Sequence, residues 1–423
     1  MMDRKYTIDD LIRVAKRENN TKRSYLYVNP IQGKHIPVSP TLSLGLFFQM
    51  AEILEDHYKN EKLMVIGFAE TATAIGTAIA YKAKNVYYYM NTTRENVPGA
   101  EYLFFTESHS HATEQRLVKN GLEEIIPKVD RIFFAEDEVT TGNTIEKLIR
   151  AIQGAFDCSG CKFGIISILN SMVDERMAEF REKNIPCEFL FRIPAGYRIE
   201  ETEDYEYKPL KQLPEVLAAD GGQQGGSGCG ENAKRGNELK HERLYVKEYR
   251  NTRVAGEIDT LRKKLDGFAE NVLLKLGRSQ GAEMAPGSSE EVEPASGISE
   301  KNAPLPDKSE SILVLGTEEF MFPAMLVGHR LEQNDPQLEV KFHATTRSPI
   351  EISDGEGYPL QSRYPLLSLY DEDRHTFIYN LKKYDHVIII TDALPLAQKG
   401  LDSLIGALKE AGNEDIRVIL REE

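Results

Sequence analysis

The chain has 423 residues, of which 41% are hydrophobic and 28% are charged, and its formal net charge is −15. This length favours two domains, each able to bury a core of its own. The excess of acid excludes general binding to nucleic acids or to anionic membrane surfaces, because both need a basic face.

The start of the chain and its four cysteines predict a cytoplasmic protein. The opening residues, MMDRKYTIDDLIRVAKRENN, are charged from the third position and lack the apolar core of a signal peptide. The run 63–80 is interrupted by Glu70 and is rich in glycine and threonine, so no membrane span is expected. Cys158 and Cys161 form a CxxC without a second pair or a histidine spacing, which favours ordinary thiols over a zinc site.

The first part of the chain alternates apolar runs with helical patterns. The runs are KLMVIGF, NVYYYMN, DRIFFAE, KFGIISIL and CEFLFRI, and the helical patterns include 41–58 and 144–155. Continuous apolar strands between amphipathic helices predict an α/β fold with a mostly parallel sheet covered on both faces. Ligands of such sheets bind beyond the carboxyl ends of the strands. The residues that follow these runs are therefore candidates for a site.

Three features before the middle of this region have two interpretations each. Lys34 and His35, in the segment YVNPIQGKHIPVSP, belong to a turn-rich entry segment or contact a ligand. The turn Ala69-Glu70-Thr71-Ala72 (69–72) leads into a helix of small residues, either for close packing or for backbone contact with an anion. Arg94 ends a strand, either as a surface residue or as a fork of donors for an anion.

A long loop at 96–115 contains the stretch FFTESHSHATEQ. This loop contains side chains of the types that bind metals, namely Glu107, His109, His111 and Glu114. A mobile loop that closes over a substrate also needs polar donors and titratable groups. We expect a closing loop, with the two histidines as acid/base groups near a pKa of about 6.5.

The stretch FFAEDEVTTGNTIEKL (133–148) places acids directly before a loop suited to phosphate. Glu136 and Asp137 end a predicted strand, and Thr-Thr-Gly-Asn-Thr (140–144) forms the turn into a helix. The helix N-terminus offers unpaired N–H groups to a phosphate, while the carboxylates would repel it and must face hydroxyls or a metal-bound group. A phosphorylated ribose satisfies both demands. The alternative is a threonine-capped helix preceded by surface acids.

The stretch RIFFAEDEVTTGNT resembles the PRPP-binding segment of type I phosphoribosyltransferases, which has four apolar residues, two acids and Thr-Thr-Gly-x-Thr. Glu136 replaces the more usual aspartate, and Glu138 stands where an apolar residue is commoner. The resemblance implies that Glu136 and Asp137 bind the ribose hydroxyls and act in catalysis with Arg94. It also implies a 5-phosphate site formed by Thr140, Thr141, Gly142, Asn143 and Thr144.

The same resemblance assigns roles to the earlier features. It implies that 69–72 binds pyrophosphate together with Arg94, and that the loop at 96–115 closes over PRPP. Lys34 and His35 would contact a base-like acceptor. Magnesium would be bound through PRPP, with no direct ligand from the protein.

Two segments without periodicity divide the chain. The stretches 218–238 and 279–311 are rich in glycine, proline or acid, and we expect linkers. Between them, apolar residues at three- and four-residue steps predict a helix over about 253–277. This helix packs onto a flanking domain or, as a short coiled coil, forms a homo-oligomer. The predicted layout is a domain at 1–218, a linker with one helix at 219–310 and a second, smaller α/β domain at 311–423.

The second domain has the same order of features as the first. Its stretches SILVLGTEEF, EVKFHATTRSPIEI and YDHVIIITDALP match strand-glycine-turn, strand-Thr-Thr-Arg and strand-acid. Gly316 and Arg347 are 31 residues apart, where Gly67 and Arg94 are 27 apart. No phosphate loop follows Asp392. The domain is either a degenerate repeat or an unrelated α/β domain with similar strand-turn patterns.

The motif Thr346-Arg347-Ser348-Pro349 is similar to the one that names the TRSP domain. We expect Thr346, Arg347, Ser348 and Asp392 at a strand end where the arginine meets a product phosphate or an acidic acceptor. The pairing of these two domains is associated with tellurium-resistance and stress-response gene clusters.

Over both domains, the resemblance implies Mg²⁺-dependent transfer of phosphoribose from PRPP to a base-like acceptor, with release of pyrophosphate, in the synthesis of a nucleoside-like metabolite. The alternative is a regulator that senses PRPP or a nucleotide without turnover. PRPP synthesis is disfavoured, because the sequence has no recognisable glycine-rich ATP loop.

Overall fold

Two parallel β-sheets form the centre of the structure. The computed structural model describes residues 6–18, 23–105, 115–213, 241–246, 252–279 and 309–422. Helices flank each sheet, which confirms the predicted α/β class with a mostly parallel sheet and a second α/β unit. Among the helices of these residues, none is long and apolar enough to cross a membrane.

The first half, which we define as residues 6–213, contains five strands that pair in parallel. Two short antiparallel hairpins lie outside its sheet. Its elements are α1 (Ile8–Leu11), β1 (Arg13–Lys16), β2 (Tyr25–Val28), α2 (Pro40–His57), β3 (Leu63–Gly67), α3 (Ala72–Lys82), β4 (Val86–Asn91), β5 (Tyr102–Phe104), β6 (Arg116–Val118), α4 (Leu122–Ile125), β7 (Arg131–Val139), α5 (Asn143–Ala155), β8 (Lys162–Asn170), α6 (Asp174–Glu182) and β9 (Cys187–Arg192), with 3₁₀ turns at Ile126–Lys128 and Ile199–Glu203.

The second half, which we define as residues 309–422, is built in the same way. A short segment at 241–279 precedes it and contributes strands to both sheets. The elements from there on are β10 (Glu242–Val246), β11 (Gly256–Glu257), α7 (Ile258–Lys275), β12 (Ser311–Gly316), α8 (Phe322–Asn334), β13 (Glu339–Ala344), β14 (Arg363–Leu367), β15 (His375–Tyr379), β16 (His386–Ile390), α9 (Gln398–Glu410) and β17 (Ile416–Arg421).

The apolar stripe of α7 is buried inside this chain. Leu261, Leu265, Phe268 and Val272 are each less than 5% exposed, and the helix contacts α3 and α8, one from each half. The edge strand β11 pairs with β4, and β10 pairs with β17. The helix therefore packs against both halves, and its stripe is not open for a coiled coil. The domain boundaries near 218 and 311 stay predictions.

The two sheets share one topology. In the first, β3 lies between β4 and β7, and β8 follows β7; in the second, β12 lies between β13 and β16, and β17 follows β16. A helix follows β3 and β12, and a hairpin separates β4 from β7 and β13 from β16. The register also agrees, because Gly67 pairs with Ala135 and Gly316 pairs with Ile390. This agreement favours a degenerate repeat over an unrelated domain.

This topology positions a crevice in each half. From the central strand the chain first forms the neighbour on one side, β4 or β13, and later forms the neighbour on the opposite side, β7 or β16. The connections after the two adjacent strands therefore diverge at the carboxyl edge of the sheet and leave room for a ligand. In the first half these are the connections after β3 and β7. The predicted pyrophosphate and phosphate segments lie there.

Candidate active site

Three acidic side chains lie at the carboxyl end of β7. The first five residues of the strand are buried, and Glu136, Asp137 and Glu138 are partly exposed. Desolvation raises the pKa of all three carboxyls, and the charge of Asp137 raises the pKa of Glu136 further. Gln32 lies beside Asp137 and opposes the rise. Within the described residues, neither Glu136 nor Asp137 has a cationic partner in an ion pair.

Glu138 is held by the connection between β1 and β2. The Arg23 guanidinium donates to Glu138 Oε2 at 2.6 Å, and the Ser171 hydroxyl donates to Oε1 at 3.3 Å. The same guanidinium lies over the ring of Tyr25, 4.6 Å from its centroid. This ion pair explains an acid where the resemblance leads one to expect an apolar residue. It also leaves Glu136 and Asp137 as the two unpaired carboxylates.

The phosphate loop, residues 140–144, turns sharply into α5. Gly142 has φ +68°, which favours glycine, and a Cβ at this position would lie 2.7 Å from the ring of Phe180. The N-cap residue Gly142 offers no side-chain cap, and the Asn143 N–H makes one long bond, 3.4 Å, to Thr141 Oγ1, so the first turn of the helix presents its N–H groups to an anion. The predicted residues Thr140, Thr141 and Thr144 lie on this turn.

Arg176 supports the phosphate loop from behind. Its Nε donates to the Thr141 carbonyl at 2.8 Å, and its terminal nitrogen donates to Asn143 Oδ1 at 3.2 Å. Its guanidinium lies over the ring of Phe180, 4.4 Å from the centroid, and pairs with Glu146 at 2.6 Å. Asn143 therefore uses its side chain within the protein. Sequence reasoning missed Arg176, because nothing in its local sequence relates it to the loop.

The pyrophosphate loop, residues 69–72, connects β3 to α3. Gly67 precedes it, and a Cβ there would lie 2.8 Å from the Ala72 carbonyl, so only glycine fits this tight turn. The Ala69 N–H donates to Thr92 Oγ1 at 2.8 Å, and the Ala69–Glu70 peptide is cis. The first turn of α3 has no side-chain cap. Its backbone N–H groups can meet an anion.

The side chain of Glu70 lies away from any such anion. Its carboxylate pairs with Lys34 and lies 3.6 Å from Arg347 Nε of the second half. Burial would raise the pKa of Glu70, but these two cations hold it below the ordinary value. The predicted contact of Glu70 with pyrophosphate can therefore involve its backbone only, since the carboxylate is occupied.

Arg94 lies between the pyrophosphate loop and the acids of β7. Burial lowers the pKa of its guanidinium, whereas the charges of Glu70, Glu319 and Glu136 raise it. Its backbone N–H donates to Glu319 Oε1 at 2.8 Å, and its Nε is buried without a hydrogen-bond partner in the described structure. A buried donor next to a loop of open N–H groups is suited to an anionic leaving group.

Lys34 and His35 lie between the two halves. The Lys34 ammonium donates to the carbonyls of Glu318 at 2.8 Å and Thr345 at 2.9 Å, besides pairing with Glu70. His35 is 4% exposed, and burial together with the charge of Lys34 lowers its pKa to about 3. These contacts are structural, so the geometry gives the predicted acceptor role no support.

The predicted closing-loop residues Glu107, His109 and His111 lie outside the described residues, as does Glu114. The hairpin β5–β6 frames this loop. At its near end, Gln115 donates to the Ala69 carbonyl at 2.9 Å, and Arg116 donates to the Arg94 carbonyl at 3.1 Å. The end of the loop is thus anchored to both predicted pyrophosphate-binding elements.

The predicted second-half residues meet protein groups. Arg347 Nε donates to Glu318 at 2.6 Å, and the same guanidinium contacts Glu95 and lies near Glu70 and Glu319. Thr346 and Ser348 form a turn in which Ser348 N–H donates to Thr346 Oγ1 at 3.2 Å. Where the sequence predicted a bound phosphate or acidic acceptor beside Arg347, the structure has carboxylates of the chain.

Among the residues that the structure describes, the cysteines and the remaining acids form no second site. Cys158, Cys161 and Cys187 are free thiols, and burial raises the pKa of Cys161 and Cys187 to about 12. Thiols with such pKa values are unreactive near neutral pH. In the parts of the chain that the structure describes, no group of three or more His, Cys, Asp or Glu residues could hold a metal ion.

Two family models match the chain. Residues 11–194 match a model described as phosphoribosyl transferase, and residues 286–408 match one described as the TRSP domain C-terminal to it. No curated protein matches.

Solved structures with a similar fold include three phosphoribosyltransferases. The adenine phosphoribosyltransferase from Giardia lamblia, complexed with 9-deazaadenine, is 13% identical with a TM-score of 0.32, and the match covers 43% of this chain and 94% of that one. The enzyme from Rhodothermus marinus is 15% identical with a TM-score of 0.31, over 44% and 96%. The orotate enzyme from Mycobacterium tuberculosis is 15% identical with a TM-score of 0.25, over 40% and 79%. Scores this low carry no argument about this chain.

Proposed function

Because residues 11–194 match a phosphoribosyl transferase family and residues 286–408 match the TRSP domain that follows it, we propose that the protein transfers phosphoribose from PRPP to a base-like acceptor and releases pyrophosphate. One observation carries this proposal. Glu136 and Asp137 are carboxylates without a cationic partner in the described residues, and they stand directly before an uncapped helix that begins after Gly142. Carboxylates without a cationic partner, next to a site for an anion, suit a ligand that carries a phosphate group at one end and hydroxyl groups at the other.

We assign a part of PRPP to each element. The 5-phosphate binds the N–H groups and hydroxyls of 140–144, and the 2- and 3-hydroxyls donate to the carboxylates of Glu136 and Asp137. The pyrophosphate binds the backbone of 69–72 and the guanidinium of Arg94.

In the reaction, the bond between the anomeric carbon and the pyrophosphate oxygen breaks, and a bond from that carbon to a nitrogen or carbon of the acceptor forms. The proton of the nucleophile passes to water or to a base. The ribose carries positive charge in the transition state, which the two carboxylates stabilise, while Arg94 and the loop stabilise the leaving pyrophosphate. No side-chain nucleophile is needed.

Magnesium fits this donor set. Mg²⁺ prefers oxygen ligands and is bound through one or two carboxylates together with substrate oxygens. In the proposal the open carboxylates of Glu136 and Asp137 accept from the ribose hydroxyls, so the ion would be held through the oxygens of PRPP. When bound, it would neutralise charge on the leaving group.

The proposal also covers the acceptor, the cellular location and the biological role. The resemblance supports a base-like acceptor, a nucleoside-like product and a role in stress response, and the charged start of the chain and its cysteine usage support a cytoplasmic location. Within the described residues, no side chain is assigned to the acceptor, because the contacts of Lys34 and His35 are internal.

The test is an assay of pyrophosphate release. The full-length protein is incubated with PRPP, Mg²⁺ and a panel of base-like compounds, with Asp137→Asn as the matched control. We expect release that depends on one class of acceptor and falls strongly in the variant. Binding of PRPP without release for any acceptor would favour the sensing alternative. Failure to bind PRPP would refute the proposed function.

A further inference from the structure

The two halves share hydrogen bonds as well as topology. In each, two bonds tie the central strand and the turn after it to the Thr-Thr-Arg segment that follows the neighbouring strand, and a third bond closes a turn within that segment. The Thr92 N–H donates to the Gly67 carbonyl at 2.9 Å, and the Thr345 N–H donates to the Gly316 carbonyl at 3.2 Å. The Ala69 N–H donates to Thr92 Oγ1 at 2.8 Å, and the Glu318 N–H donates to Thr345 Oγ1 at 3.0 Å. The Glu95 N–H donates to Thr93 Oγ1 at 2.9 Å, and the Ser348 N–H donates to Thr346 Oγ1 at 3.2 Å. By this correspondence Glu319 takes the place of Glu70, and Arg347 that of Arg94.

The acid of the second crevice is paired within the protein. The strand register places Asp392 where the first half has Asp137. Its carboxylate accepts from the Tyr370 hydroxyl at 2.6 Å and from Arg253 at 2.5 Å. In our proposal the acids of the first half accept from ribose hydroxyls, whereas Asp392 accepts from Tyr370 of the second half and from Arg253 of the segment before it.

The helix N-terminus of the second half is also blocked. The Ala397 N–H, just before α9, donates to the Leu369 carbonyl at 2.9 Å. A Cβ on Gly400, in the first turn, would lie 2.1 Å from the Ser368 carbonyl oxygen. The connection between β14 and β15 therefore occupies the space that a phosphate would need. A carbonyl oxygen takes the place of the anion.

The second half instead contacts the machinery of the first. Glu319 accepts from Thr93 Oγ1 at 2.7 Å and from Arg94 N–H at 2.8 Å. Its backbone carbonyl accepts from Thr73 Oγ1, in the first turn of α3, at 2.9 Å. Thus Glu319 ties together the two elements that would bind pyrophosphate, the loop before α3 and the segment of Arg94.

Arg347 makes the reciprocal contact. Its guanidinium lies 3.6 Å from the Glu70 carboxylate and pairs with Glu318, while Lys34 joins Glu70 to the carbonyls of the second half. The side chains of Glu70 and Arg347 are 7% and 8% exposed. Buried ion pairs of this kind fix geometry, because a displaced charge would lose its partner inside the protein.

We propose that the second half is a built-in partner subunit that has lost its own phosphoribosyl site and holds the pyrophosphate loop and Arg94 of the first half in place. Arg347 and Glu319 are the positioning residues. This inference rests on the proposed function, since it assigns the held loop to pyrophosphate. It adds that one chain has one PRPP site and that the TRSP arginine acts through Glu70.

The experiment compares two ligands that occupy different parts of the proposed site. Pyrophosphate and ribose 5-phosphate are titrated separately, with Mg²⁺, into the full-length protein and into Arg347→Met and Arg347→Lys. We expect Arg347→Met to lower the affinity for pyrophosphate by about tenfold or more and the affinity for ribose 5-phosphate by less than about twofold. Arg347→Lys, which keeps the charge, should restore part of the loss.

Arg131→Met is the matched control. The Arg131 side chain is about as buried as that of Arg347, 7% against 8% exposed, and its Nε lies 2.7 Å from Glu61, but it lies at the amino end of β7. It should lower thermal stability and leave both affinities unchanged. PRPP titrated into the wild-type protein should bind once per chain.

The outcomes separate the two proposals. If the wild-type protein binds neither pyrophosphate nor PRPP, the proposed function fails and the positioning role fails with it. If the wild-type protein binds and Arg347→Met binds pyrophosphate equally well, or weakens both ligands to the same degree, the positioning role alone is refuted. Two PRPP molecules per chain would refute the loss of the second site.

Discussion

Replacing Asp137 by asparagine separates ribose recognition from phosphate recognition. The change keeps the shape of the side chain and one acceptor oxygen but removes the charge. A hydrogen bond to a carboxylate contributes about 1.5–3 kcal/mol, against about 0.5–1.5 kcal/mol for a neutral one, so two such bonds lose about 2 kcal/mol. PRPP should therefore bind roughly 30-fold more weakly, whereas pyrophosphate, which has no ribose, should bind as before.

The same substitution should stabilise the fold at neutral pH. Desolvation raises the pKa of Asp137 above its ordinary value, so the unfolded chain loses this proton at lower pH than the folded one does. The destabilising contribution is absent below the ordinary pKa of about 3.9 and grows as pH rises through the folded pKa. Asp137→Asn should thus raise the unfolding temperature at pH 7, and the gain should shrink toward pH 4.

Calorimetric titration and thermal unfolding at several pH values measure both effects. A variant that is more stable and binds PRPP more weakly, with unchanged pyrophosphate affinity, matches the predicted role. Equal loss of both ligands would indicate that Asp137 acts through a metal or through the fold. A lower unfolding temperature at pH 7 would contradict the raised pKa.

Three further predictions concern the same crevice. Gly142→Ala should destabilise the folded protein by about 1–2 kcal/mol and weaken the binding of ribose 5-phosphate, because alanine would have to adopt the left-handed conformation of Gly142. Gly154→Ala is the control: its Cβ would meet open space within α5, so it should be neutral or stabilising in the same unfolding assay. Arg176→Ala should raise the KM for PRPP several-fold with a small change in kcat, since it loosens the Thr141 turn; an unchanged KM would contradict this. Glu136→Gln should shift the acid limb of PRPP binding to lower pH, because the pKa of Glu136 is raised; an unshifted profile would exclude it as the titrating group.

The local part of the site was predictable from the sequence. The strand, the two acids, the glycine turn and the helix start all fall within sixteen consecutive residues, 133–148. Their chemistry follows from the order in which they occur, because a strand end and the next helix start are neighbours in a parallel sheet. The fold class followed from the same alternation of strands and helices.

The long-range part of the site was not predictable. Arg23 reaches Glu138 across 115 positions and Arg176 reaches Thr141 across 35 positions, and neither has a local pattern that marks it. Lys34 was assigned to the acceptor because a basic residue in a loop suggests a ligand contact. Its ammonium instead satisfies carbonyls of the second half 284 and 311 residues away.

The repeat was visible in sequence only as an order of features. Strand-turn patterns recur in any α/β domain, so the order left two interpretations open. The register of Gly316 and the hydrogen bonds of Thr345 reveal the correspondence, because they fix which positions are equivalent. The pairing of Asp392 depends on Tyr370 and Arg253, which come from segments outside the compared strands.

The number of PRPP molecules bound per chain tests the central claim most directly. Calorimetric titration of the full-length protein with PRPP and Mg²⁺ gives stoichiometry and affinity together. We predict that one PRPP molecule binds per chain, that pyrophosphate and ribose 5-phosphate compete with it, and that Asp137→Asn lowers its affinity. Absence of binding, or binding that neither product displaces, would contradict it.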